Sequence, residues 1–100
     1  MFERRVSDLA QRACSLAERV LRPDVVRVRF RLIQDHDGDD AIFFNTLLSD
    51  DTAKGNLIAI TSRVHQICET VTDANEYGWL TYFNFRSVSE QAKLKDPEWE

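Results

Sequence analysis

Apolar residues recur at intervals of three and four along the start of the chain. The stripe comprises Phe2, Val6, Leu9, Ala13, Leu16 and Val20. This spacing predicts an amphipathic helix over roughly residues 3–21. The helix should end at Arg22-Pro23, because proline disfavours helical geometry at the residue before it.

The next segment, Val25 to Gln34, alternates instead of repeating at helical spacing. Val26, Val28, Phe30 and Leu32 fall on one face, and Arg27, Arg29 and Arg31 fall on the other. Such alternation predicts a half-buried strand. The polar turn at 35–40 contains Gly38, which can adopt positive φ. A second strand over 41–49, with apolar Ile42, Phe44 and Leu48, completes a predicted hairpin.

A second long helix is predicted after the capping side chains at 49–52. Its apolar positions are Leu57, Ile60, Val64, Ile67 and Val71, and it should end near 75–78. Residues 79–86 suit a third strand, whose buried side is either Phe83 with Phe85 or Leu80 with Tyr82. Ser87 and Glu90 form a capping-box pattern for a short helix through about Leu94.

These elements predict an α+β fold of order α-β-β-α-β-α. We expect a three-stranded sheet, made of the hairpin and a crossover strand, with the two long helices packed on one face. Residues 1–95 should form a single domain, and residues 96–100 an acidic tail. The connection to the third strand should be a right-handed crossover. We expect the strand order 2-1-3, with the long arginine-bearing strand in the centre.

The opposite face of this sheet needs an explanation. Neighbours two apart in a strand lie roughly 6.6 Å apart, so Arg27, Arg29 and Arg31 form a row of like charge. Phe43 and Asn45 should share this face, and if the Phe83 side is buried, so should Tyr82, Asn84 and Arg86. No acid is among these residues.

Three interpretations of the open face remain. It is either a solvated surface, a nucleic-acid platform with arginines on phosphates and rings on bases, or a protein contact surface. The protein contact would be an acidic partner, the chain's own acidic tail or a second copy. The overall charge of −4 favours a protein over a nucleic acid.

Charge is unevenly distributed along the 100 residues. Residues 1–34 contain eight arginines and four acids, whereas residues 35–100 contain five basic and thirteen acidic side chains. The two parts can neutralise each other within one domain or between two copies. A hydrophobic fraction of 43% with six Phe and two Trp indicates a cooperatively folded globular domain.

Several chemistries are disfavoured by the residue patterns. Cys14 and Cys68 lie in no metal or redox motif and suit buried thiols. Asp35, Asp37 and Asp39 have the alternation of a calcium loop, but Asp40 stands where its glycine belongs and Thr46 where its glutamate belongs. His36 and His65 are too few for a zinc site.

No catalytic motif, apolar signal segment or membrane span occurs in the sequence. We therefore expect a cytosolic protein that is not an enzyme and has no cofactor, no metal and no membrane partner.

The element order also resembles that of BolA-like proteins, which are small α+β domains with a KH-type topology. The resemblance covers residues 7–86, with Ser49-Asp50 leading through Gly55 into a helix that contains Arg63-Val64-His65. It implies a histidine, His65 here, that helps to bind an iron–sulfur cluster with a glutaredoxin partner. The spacing between the glycine and the histidine departs from the family's pattern.

Together these patterns predict a small cytosolic accessory protein that binds another protein through its arginine-rich sheet face. An RNA or single-stranded nucleic-acid module using the same face and a BolA-like partner protein are the alternatives. A homodimer is compatible with the charge pattern. The predicted binding residues are Arg27, Arg29, Arg31, Phe43, Tyr82, Arg86 and Trp99.

Overall fold

The computed structural model describes residues 3–99, in which four α-helices accompany one mixed three-stranded sheet. Phe2 of the predicted helix stripe and the outer ends of the predicted domain and tail lie outside the described residues. The elements confirm the predicted α+β fold class. They are α1 (Glu3–Val20), β1 (Val25–Gln34), β2 (Asp40–Leu48), α2 (Asp50–Gly55), α3 (Leu57–Thr72), β3 (Leu80–Ser87) and α4 (Val88–Leu94), with short 3₁₀ turns at Ala74–Tyr77 and Pro97–Trp99.

Helix α1 packs against α3 and β1 through a seam of small side chains. Ala10, Ala13 and Ala17 are fully buried, whereas Val20 at the end of the predicted stripe is 47% exposed. The buried side of the helix is therefore rotated towards its alanines, because small residues allow a helix to approach its neighbours closely. None of the helices within 3–99 has the length and apolarity needed to cross a bilayer.

The observed strand order is β1-β2-β3, so the expected 2-1-3 order is wrong. Strand β2 lies in the centre, antiparallel to β1 and parallel to β3. The length of a strand does not decide its position in this sheet. Both sides of β2 carry buried residues, whereas β1 alternates apolar residues with arginines and tolerates exposure at an edge.

The side of the sheet under the helices is lined by rows of apolar residues. Phe30, Phe44 and Phe83 lie opposite one another, and the rings of Phe44 and Phe83 stack with centroids 5.2 Å apart. The third strand therefore buries its Phe83 and Phe85 side. Val26 was predicted to face inward, but it is 48% exposed because the register shifts between Val25 and Arg27.

The second predicted helix is interrupted at Gly55 and Asn56, two residues of low helix propensity. Ser49 caps α2 by accepting a hydrogen bond from the Thr52 N–H. Helix α3 ends at Thr72, earlier than predicted, where Asp73 adopts a left-handed conformation with φ 48°. The interruption leaves Ile58 81% exposed at the start of α3.

Two local predictions are confirmed by hydrogen bonds. In the hairpin turn, Gly38 has φ 85° and the Asp35 carboxylate accepts from the N–H groups of Asp37 and Asp39. At the start of α4, Ser87 accepts from the Glu90 N–H while the Glu90 carboxylate accepts from the Ser87 N–H. The capping box therefore fixes where β3 ends and α4 begins.

Candidate binding face

The side of the sheet opposite the helices carries polar and aromatic side chains, and we call it the open face. Strand register aligns them in rows that cross all three strands. The rows are Arg31–Phe43–Tyr82, Arg29–Asn45–Asn84 and Arg27–Leu47–Arg86.

Arg29 and Arg31 of β1 are paired with acids of the same chain. Arg29 lies 3.6 Å from the Glu18 carboxylate, which also accepts a 2.7 Å hydrogen bond from the Val28 N–H. Glu18 thus covers part of the β1 edge and neutralises an arginine. Arg31 makes a shorter ion pair, with its Nη1 2.8 Å from the Glu98 carboxylate.

The acidic segment at residues 96–99 folds back onto the open face. Trp99 is only 5% exposed, and the guanidinium carbon of Arg86 lies 4.3 Å from its ring centroid. Arg86 also lies 3.5 Å from the Asp96 carboxylate, and Gln91 Nε2 donates a 2.7 Å hydrogen bond to the Asp96 carbonyl. The face therefore already holds an acidic, aromatic stretch of its own chain.

A groove of about 420 Å³ remains between this segment and the strands. Its floor includes Asn45, which is 6% exposed, and Asn84, whose Nδ2 donates to Asn45 Oδ1 at 3.2 Å. Within residues 3–99 no hydrogen bond engages Asn45 Nδ2, so this donor is available to a ligand. The lining residues are Arg31, Ile33, Phe43, Asn45, Asn84, Phe85, Arg86, Asp96, Glu98 and Trp99.

An aromatic pair borders the groove. The rings of Phe43 and Tyr82 stack with centroids 4.8 Å apart. The Tyr82 hydroxyl donates a 2.8 Å hydrogen bond to the Asp35 carboxylate. This bond lowers the pKa of Asp35 and raises the pKa of Tyr82. The tyrosine is therefore held in place by both the phenylalanine and the hairpin turn.

The seven predicted binding residues all lie on the open face or against it. Arg31, Phe43, Arg86 and Trp99 line the groove, and Tyr82 stacks beside it. Arg27 and Arg29 share the face but lie outside the groove lining. The prediction did not include Asn45, Asn84 and the acids Asp96 and Glu98; the only sequence signal for the asparagines was their position in the strand alternation.

The acidic turn also approaches the open face. Carboxylate oxygens of Asp35, Asp37 and Asp39 lie within 4.8 Å of one another. Asp35 is fully used in hydrogen bonds to Tyr82 and two backbone N–H groups, while Asp37 and Asp39 are exposed. This arrangement matches a polar hairpin turn.

The groove lining includes neither His36 nor His65. His36 is exposed beside Asp37. The His65 ring stacks on Phe83 at 4.4 Å, and its Nε2 lies 3.1 Å from the Glu69 carboxylate. Glu69 also accepts a 2.6 Å hydrogen bond from the Thr81 hydroxyl, which is the main reason that the pKa of Glu69 is lowered.

Cys14 and Cys68 are buried free thiols, as predicted. Burial raises the pKa of Cys68 to about 12 and raises the pKa of Cys14 further. Burial therefore disfavours the thiolate, which is the reactive form of cysteine.

Comparison of the chain with protein-family models, with curated proteins and with solved structures finds no match. The resemblance to BolA-like proteins, with the role that it implies for His65, therefore stays a prediction.

Proposed function

We propose that this chain is a small cytosolic accessory protein, without catalysis of its own, that binds an acidic segment of another protein on the open face. The observation that carries the proposal is the contact between that face and residues 96–99. Glu98 pairs with Arg31, and Trp99 lies under Arg86. The face thus has the chemistry to hold a carboxylate and an aromatic ring that follows it in sequence.

Each contact has a known physical strength. Charge-assisted hydrogen bonds from arginine to a carboxylate are shorter and stronger than those between neutral groups. A guanidinium over a tryptophan ring contributes about 0.5–2 kcal/mol, with the larger value where water is excluded. Trp99 is almost fully buried, so the contact with Arg86 is partly desolvated. Partner segments of the same composition would gain the same interactions.

Charge around the groove favours a protein over a nucleic acid. The chain has a net charge of −4, and Asp35, Asp37 and Asp39 lie beside Tyr82 at one end of the face. These carboxylates would repel a phosphate backbone, which needs several free cations along its path, more than they would repel a segment with one or two acids. Phe43 and Tyr82 also stack on each other, so each ring has one face fewer for a base.

The proposal is tested by fluorescence anisotropy with a labelled peptide that has the sequence of residues 95–100. Binding is compared between the unaltered chain, Arg31→Glu and the matched control Arg63→Glu. Arg31 and Arg63 are both exposed, and Arg63 lies on helix α3, away from the groove lining. Both variants change the net charge equally, so only the position of the changed charge differs.

We expect the control to bind like the unaltered chain and Arg31→Glu to bind more weakly. Equal binding by both variants would contradict a role for Arg31. A labelled single-stranded RNA provides the second arm of the experiment. Binding of the RNA but not of the peptide, lost with Arg31→Glu and falling steeply with salt, would favour the nucleic-acid alternative.

A further inference from the structure

We infer that residues 96–99 are an internal competitor for this site, and that a partner segment must displace them in order to bind. The inference rests on the proposed function, because it concerns how the same face is regulated. Three features of the groove support it: the engaged arginines, the way the segment is held, and the unused amide of Asn45.

The cations of the groove are already occupied. Arg31 is paired with Glu98, and Arg86 contacts both the Asp96 carboxylate and the Trp99 ring. The groove lining therefore contains two basic and two acidic side chains, which leaves it formally neutral. A carboxylate from a partner gains the full attraction of both arginines only after Asp96 and Glu98 have left.

The segment can leave without opening the main core. Trp99 is buried, but it is outside the hydrophobic cluster that joins α1, α3 and the sheet. The segment begins after Lys95, which adopts φ 52°, a left-handed conformation that is unfavourable for a residue with a side chain. Movement about this residue would therefore release a backbone strain and leave the helix-covered side of the sheet intact.

The bound segment does not use every donor of the groove. Asn45 lines the groove, and within residues 3–99 its Nδ2 has no acceptor, although its Oδ1 accepts from Asn84. This donor reaches the groove, where an acceptor on a partner can take the place of water. The preferred partner segment should therefore supply an acidic residue for Arg31, an aromatic ring for Arg86 and one more acceptor for Asn45.

Competition is measured with the same labelled peptide on the unaltered chain and three variants. Trp99→Ala removes the main anchor of the segment, and Glu98→Gln weakens its ion pair. The matched control is Leu94→Ala, which trims a neighbouring side chain that is 59% exposed and outside the groove lining. Circular dichroism confirms that each variant keeps its fold.

If the segment covers the site more than nine-tenths of the time, its release should tighten peptide binding at least tenfold. We therefore expect a tenfold or greater gain for Trp99→Ala, a smaller gain for Glu98→Gln and no change for Leu94→Ala. Equal, measurable affinity for all chains would overturn the competition while leaving the proposed function standing. An absence of binding to Trp99→Ala would overturn both.

The displacement itself can be seen by nuclear magnetic resonance with ¹⁵N-labelled chain and unlabelled peptide. The chain has two tryptophans, Trp79 in the main core and Trp99 on the open face, so two indole N–H signals are expected. Saturating peptide should move the Trp99 signal to the position of a solvent-exposed indole and leave the Trp79 signal in place. A Trp99 signal that stays unchanged while the peptide binds would contradict displacement.

Discussion

The two faces of one sheet differ in what covers them. The helix-covered face buries Ile42, Phe44 and Leu48 under α1 and α3, whereas the short segment at residues 96–99 covers part of the open face. Apolar burial on the first face supplies the large stabilising term of a small domain. The second face holds charged and amide groups whose contacts can be exchanged. Under the proposed function, folding and recognition use opposite sides of the same three strands.

The sharpest test of this difference compares two neighbouring phenylalanines. Phe44 is fully buried under the helices, and Phe43 is half-buried on the open face against Tyr82. Phe44→Ala should lower the free energy of unfolding by about 3–5 kcal/mol, because it leaves a cavity in the core. Phe43→Ala should cost only about 1 kcal/mol, in the range of a surface aromatic pair.

Urea unfolding followed by circular dichroism measures both values. Equal losses for the two variants would show that the open face contributes to the core as much as the helix-covered face does.

A medium effect is expected at Thr46, a buried polar side chain of β2 on the helix-covered face. It is fully buried, and its hydroxyl has no hydrogen-bond partner within residues 3–99. Thr46→Val keeps the shape and removes the unsatisfied group, so it should stabilise the protein by about 1 kcal/mol. A loss of stability in thermal unfolding would indicate that the hydroxyl is satisfied in solution, for example by water.

The smallest effect is expected at the hydrogen bond between Tyr82 and Asp35. The hydrogen bond from Tyr82 lowers the pKa of Asp35 below its ordinary value. The contribution of this hydrogen bond to stability is therefore fully present at pH values above the ordinary aspartate pKa of about 3.9. It is lost as the pH falls through the lowered pKa of Asp35. Asp35→Asn should slightly reduce the change in stability with pH in this acidic range.

The same substitution should return the raised pKa of Tyr82 towards its ordinary value. Absorbance titration measures this, with Tyr82→Phe identifying the signal of the one remaining tyrosine. An unchanged Tyr82 titration in Asp35→Asn would contradict the bond.

Most secondary structure followed from periodicity and capping residues, but the strand order did not. The alternation of Val28 and Phe30 with arginines defined β1, and Ser87 with Glu90 defined the start of α4. Strand length suggested that β1 was central, whereas burial on both sides of β2 decided the order. The sequence contained the residues on both sides of β2. It did not indicate that burial on both sides would decide the strand order over strand length.

The candidate site was predictable only in part, for a physical reason. Arg31, Phe43 and Arg86 share one face because side chains alternate along strands. The folding of Trp99 onto that face depends on where α4 ends and on the conformation of Lys95, neither of which has a periodic signature. The unused Nδ2 donor of Asn45 could be identified only once the positions of the neighbouring side chains were known.

The most direct test of the open face as a binding site is a site-resolved titration. ¹⁵N-labelled Trp99→Ala, in which we expect the competing segment to be released, is titrated with the peptide of residues 95–100 and followed by heteronuclear correlation spectra. The expected shift changes centre on the backbone signals of Arg31, Phe43 and Asn84 and on the side-chain amide of Asn45, with Arg63 unaffected. Changes centred on α1 and α3, or none at saturating peptide, would contradict the assignment of recognition to this face.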